Sequence, residues 1–100
     1  MVKWSSCLFY TRHIMSFYYV YVLRSLVKAW IYIGYTENLK KRFAEHNSGE
    51  SQSTAKYKPY ELIHYEAYKS MKDAKRREMY LKTTKGKTTL RTMLLDYLQT

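Results

Sequence analysis

The chain has 100 residues, 46% of them apolar, and one cysteine. That suffices for one small core and excludes a second domain, an internal disulfide and a Cys-x-x-Cys zinc pair. The 18 Lys and Arg against 8 Asp and Glu give a net charge of +10, the footprint of a polyanion partner, most simply nucleic acid, or of a well-solvated surface.

No apolar run approaches the ~20 residues a membrane helix needs; with the lone thiol, this points to a reducing, cytoplasmic setting and no membrane partner. Residues 1–16 have no acidic residue, no clear period and too short an apolar run for a secretory signal. They read as an N-terminal extension, with Met15 as an alternative start, and residues 17–100 as the domain. From Phe17 to Leu23 the pattern alternates as a strand does, with Tyr19, Tyr21 and Leu23 on one face and Tyr18, Val20 and Val22 on the other. The connection that follows has no Gly or Pro. Trp30–Tyr35 is the second expected strand, where Tyr32 shares a face with Gly34. A glycine there removes a side chain where something must approach the backbone closely.

Thr36 or Asn38 can cap the next helix. Leu39 and Phe43 form its core stripe, and Arg42 and His46, also one turn apart, form an adjacent stripe. Asn47 or Gly49 ends it in a left-handed conformation. Residues 48–58 read as a polar loop, long for so small a domain. Pro59 bars helix, and Glu61–Tyr68 is a third strand. Ser70 caps a helix over 71–82, with Asp73 in the capping-box position. Lys85-Gly86-Lys87 should break it, and Thr88 or Thr89 should start a last helix with Leu90, Met93, Leu94, Tyr97 and Leu98 as its apolar stripe. The order is β-β-α-β-α-α, an α/β (α+β) domain.

Glu78 shares a helix face with Met71, Ala74 and Leu81, where a carboxylate is costly unless it is paired or holds a metal. One carboxylate can hold Mg2+ if water and a substrate phosphate complete the shell. Arg42 offers the rigid fork that suits a phosphate. His46 can move a proton near neutral pH, or simply favour the helix C-terminus. Tyr21 and Tyr32 suit strands, and a phenol is a poor base near neutral pH unless cations assist it. Residues 69–91 hold nine Lys and Arg against two acids. Lys82, Lys85 and Lys87 there, with Lys40 and Lys41 on the first helix, are candidate contacts to a nucleic-acid backbone. The twelve tyrosines fill cores or stack on unpaired bases.

Tyr19-Val20-Tyr21 stands where one family writes Gly-Ile-Tyr, and Tyr32-Ile33-Gly34 matches its Tyr-Ile-Gly. Thr36-x-Asn38-Leu39-x-x-Arg42-x-x-x-His46-Asn47-x-Gly49 and Ala74-x-x-x-Glu78-x-x-x-Lys82 follow in order. Over positions 17–87 the chain resembles the GIY-YIG nuclease superfamily, above all its short stand-alone members. The resemblance implies a small three-stranded antiparallel sheet flanked by helices. It implies a phosphodiesterase using Mg2+ or Mn2+, with Tyr21, Tyr32, Arg42 and Glu78 on one solvent-open surface and His46 at its rim. One tyrosine would be the base, Arg42 would hold the phosphate and Glu78 the metal. The expected function is a DNA endonuclease of low sequence specificity, acting on branched or single-stranded DNA among its possible substrates. The alternatives are a non-catalytic nucleic-acid-binding module on the same fold and, more distantly, a protein-interaction domain. In one departure, Tyr35 follows Gly34 where some nucleases place a lysine.

Overall fold

The computed structural model describes residues 16–99; the expectations for residues 1–14 and for Met15 lie outside them. Two strands, β1 (Tyr18–Ser25) and β2 (Ile31–Thr36), form an antiparallel hairpin that sets Tyr21 opposite Gly34. Its turn needs neither Gly nor Pro because Ser25 organises it. The Ser25 hydroxyl accepts from the backbone N–H of Val27 at 3.2 Å and of Lys28 at 3.1 Å, and donates to the Tyr57 carbonyl at 2.6 Å. The third strand, β3 (Tyr60–Tyr68), pairs antiparallel with the other edge of β1, giving the order β2-β1-β3.

The period-two alternation divides the core in two. On one face Val20, Val22 and Ile33 pack with Ala74, Leu81 and Leu90. These last three come from α3 (Met71–Leu81) and α4 (Thr84–Met93). On the other face Tyr21, Leu23 and Tyr60 pack with Trp30, Tyr32, Leu39, Phe43 and Tyr57. Leu39 and Phe43 belong to α1 (Leu39–Ser48). Asn38 caps α1 by accepting from the Lys41 N–H at 3.1 Å, and Gly49 closes it at φ 86°, where a side chain is strained.

Four local expectations are corrected. The polar stretch 48–58 is not all loop, because α2 (Gln52–Ala55) forms within it. Ser70 precedes α3 without a side-chain cap, and Asp73 instead pairs with Arg76 at 2.9 Å. Gly86 does not break a helix but lies in the first turn of α4. Thr83 starts that helix by accepting from the Gly86 N–H at 3.0 Å. A Cβ on Gly86 would fall 1.8 Å from the Tyr80 carbonyl oxygen, so glycine lets α4 turn back closely against the end of α3. The last stripe is also split: α4 ends at Met93, and a short α5 (Leu95–Leu98) follows.

A polar hub ties α3 to β3. The Arg77 guanidinium donates to both oxygens of Glu66, at 2.9 and 3.2 Å. The Tyr68 hydroxyl donates to Glu66 at 2.6 Å, and His64 lies 3.0 Å from it. Burial opposes the Glu66 charge, but Arg77, His64 and Tyr68 together lower its pKa to about 2. No helix among the described residues is long and apolar enough to cross a membrane.

Candidate active site

Strand pleat and helix pitch bring four of the five sequence-predicted residues together. Tyr21 and Tyr32 project from adjacent strands onto the face that α1 covers, with ring centroids 6.2 Å apart. Arg42 and His46 come from one stripe of α1. Asn47 fixes that helix to β3 with two bonds, accepting from the Tyr60 N–H at 2.6 Å and donating to its carbonyl at 3.2 Å. The Tyr21 ring lies over Gly34. A Cβ there would sit 2.5 Å from the Tyr21 Cζ and hydroxyl oxygen, so only glycine leaves space for the phenol.

His46 is not at the rim of this cluster but at its centre, fully buried. Its Nε2 is 2.7 Å from the Tyr21 hydroxyl and its Nδ1 is 2.6 Å from the Thr54 hydroxyl. Thr54 donates to the Ser51 carbonyl at 3.4 Å, so it accepts from His46 Nδ1–H. That leaves Nε2 as the acceptor for the Tyr21 O–H. Burial, then the nearby Arg42 charge, lowers the His46 pKa to about 4. Burial, then Tyr32, pushes Tyr21 well above the ordinary phenol range, and Arg42 beside it acts in the opposite direction. The resting pair is therefore a neutral imidazole accepting from a neutral phenol. Tyr21 is also buried, 1% exposed, so the expected open surface is confined to the Tyr32 and Arg42 side.

Arg42 holds Glu45 at 2.9 Å and the Ser51 hydroxyl at 3.4 Å, with a third of its side chain exposed. Lys41 lines the same shallow cleft, together with Tyr35, Thr36, Glu37, Asn38 and Glu45. Sequence reasoning missed Glu45, Ser51 and Thr54. Glu45 lies one turn from Arg42 and was readable at i,i+3; Ser51 and Thr54 gain their meaning only when α2 folds back on α1.

Glu78 does not touch this cluster in the structure. It belongs to α3, which covers the opposite face of the sheet, where it pairs with Lys82 at 3.0 Å. Its face is also less apolar than expected, because Met71 is 40% exposed. Tyr35 links the two sides. Glu78 is among the charges that raise the Tyr35 phenol, after burial, Glu37 and Tyr18. Lys75 lies 5.2 Å over the Tyr35 ring, and Tyr35 also lines the Arg42 cleft. β2 is an edge strand, and its Tyr35 neighbours both halves.

Among the described residues no three His, Cys, Asp or Glu cluster as a ready cage. Glu78 alone fits a hydrated Mg2+ or Mn2+ that keeps waters and takes substrate oxygen. The side chain of Lys82 is 52% exposed, free enough to yield its place to a cation. Lys40, Lys85 and Lys87 are exposed, but Lys87 lies beside Trp30 and Ile31, at the far end of β2 from Tyr35.

The GIY-YIG catalytic domain model matches residues 17–91. A UPF0213 protein of Streptococcus pyogenes serotype M3 is 40% identical over 71 residues, which is 70% of this chain and 76% of that protein. One from Natronomonas pharaonis is 42% identical over 67 residues, 66% of this chain and 78% of its own length. One from Pediococcus acidilactici is 36% identical over 77 residues, covering 74% and 78%. No solved structure matches. With that domain spanning residues 17–91 and relatives of this kind on both counts, the chain belongs to the GIY-YIG family, among its small UPF0213 members.

Proposed function

We propose that this protein is a metal-dependent DNA endonuclease of low sequence specificity, with Mg2+ or Mn2+ as its cation. The observation that carries the reading is the Tyr21–His46 hydrogen bond of 2.7 Å beside Arg42. The membership supports it, since this is a family of nuclease type.

Arg42 binds the scissile phosphate through its guanidinium fork. A bound phosphate anion offsets the Arg42 charge, which is the second cause of the depressed His46 pKa. Substrate therefore makes His46 a better base. As a water attacks phosphorus, Tyr21 takes its proton and passes the phenolic proton to His46 Nε2, ending with a neutral phenol and an imidazolium. Thr54 holds the imidazole in the tautomer this needs. Tyr32 packs against both rings, its centroid 4.9 Å from that of His46, and shields the imidazole while the Tyr21 hydroxyl meets the water on the Arg42 side. Glu78 holds the divalent cation, which when bound stabilises charge on the leaving oxygen. Lys40, Lys41, Lys82, Lys85 and Lys87 supply attraction for the backbone without reading sequence.

The second reading, a nucleic-acid-binding module without turnover, is favoured by one observation: Glu78 is engaged by Lys82. The two separate on incubation of purified protein with branched, single-stranded and duplex DNA, with Mg2+, Mn2+ or a chelator. Cleavage that needs metal is expected. Salt-sensitive binding with no cleavage under any condition would establish the binding module instead.

A further inference from the structure

A cleft of about 420 Å3 opens beside the Tyr21–Arg42 cluster, on the same side of the sheet. Tyr19 of β1 and Leu62 and Tyr65 of β3 form its floor, Phe43 of α1 a wall, and Asn38 and Lys40 its rim. Tyr65 is 55% exposed, and its ring is tilted 60° to that of Tyr19 with centroids 6.1 Å apart. Neither ring belongs to a core cluster. The core therefore does not account for these two rings, although every other tyrosine on that face of β1 and β2 is used by it. The cleft is continuous with the one that exposes Arg42, since Glu37 and Asn38 line both.

We propose that this cleft is a subsite for an unpaired nucleobase of the strand whose phosphate Arg42 holds. The chemistry matches on three counts. Two tilted aromatic faces and Phe43 offer stacking that any base accepts. Lys40 at the rim offers charge to the adjoining backbone. Glu37 and Asn38, which line both clefts, make base and phosphate neighbours on one strand. A base in a duplex is stacked on both sides and cannot enter, so single-stranded DNA, flaps and gaps bind tighter than intact duplex. This inference rests on the phosphate role proposed for Arg42.

The test is metal-free binding of the full chain to a single-stranded oligonucleotide carrying 2-aminopurine and to its duplex. Stacking should quench the probe in the single strand. Tyr65→Ala, at an exposed position, should fold as the parent does and lose about tenfold in single-strand affinity. Its salt slope and its duplex affinity should be unchanged, and Tyr65→Phe should bind like the parent. Parental single-strand affinity in Tyr65→Ala, an equal loss on duplex, or an equal loss in Tyr65→Phe would each overturn the subsite. Arg42→Ala distinguishes the failures. If it weakens both substrates while Tyr65→Ala weakens neither, only the subsite falls. If Arg42→Ala also changes nothing, or the parent binds no DNA, the phosphate reading falls and the subsite with it.

Discussion

At the scale of single residues, His46 divides two tasks between its ring nitrogens. Nδ1 donates to Thr54 at 2.6 Å and Nε2 accepts from Tyr21 at 2.7 Å. Thr54→Val keeps the shape of Thr54 and removes the acceptor. The Nδ1–H is then buried without a partner, which costs about 1–2 kcal/mol of stability. The imidazole also loses what fixes its tautomer, so kcat should fall ten- to hundredfold with KM unchanged, and Thr54→Ser should restore most of it. Unchanged kcat in Thr54→Val would show that His46 does not take the Tyr21 proton. Arg42 and His46 were legible in sequence because four residues make one helical turn. Thr54 was not, because nothing local distinguishes it from the other hydroxyl residues of its polar stretch. The centrality of His46 was also hidden: one histidine near a helix end reads the same whether it is exposed or enclosed by tyrosines.

Among the elements, α3 depends on Glu66. Its carboxylate has a folded pKa of about 2 against an ordinary 4.5, so the folded state binds this proton less tightly than the unfolded chain does. The resulting stability is complete above pH 4.5 and is lost as pH falls toward 2, on the order of 3 kcal/mol in full. His46 acts in a neighbouring window. Its folded pKa of about 4 lies below its ordinary 6.5, so stability also declines as pH falls from 6.5 to 4. Thermal melts of the parent and of Glu66→Gln should therefore differ by a constant amount above pH 4.5 and converge toward pH 2. A constant gap down to pH 2 would refute the hub's charged character. The strands and α1 were legible from period and caps. The ends of α3 and α4 were not. Gly86 is punctuation when read locally, yet here it serves the close approach of two helices, which is a tertiary demand. Ser70 and Asp73 form a good capping pattern that lost to an Arg76 partner.

Across the whole molecule, the sheet separates the proposed proton-transfer pair from the proposed metal ligand. Tyr21, Tyr32, Arg42 and His46 lie on the α1 side, Glu78 on α3, and Tyr35 at the open edge of β2 adjoins both. The order of motifs was readable because each needs only local spacing. The side of the sheet that each helix covers was not, because it depends on where α3 crosses the strands. Under the proposed reading, substrate bound over the β2 edge would bridge the two halves, with Arg42 to hold its phosphate and Glu78 to hold the divalent cation. Glu78→Gln measures this most directly, because it keeps shape and helix propensity while removing the charge. Its partner Lys82 is half-exposed, so stability should change by less than about 1 kcal/mol. Metal-dependent cleavage of DNA should fall by orders of magnitude, while metal-free DNA binding remains within about twofold of the parent. Cleavage by Glu78→Gln at the parental rate would contradict the account, since the cation would then be held elsewhere or not needed.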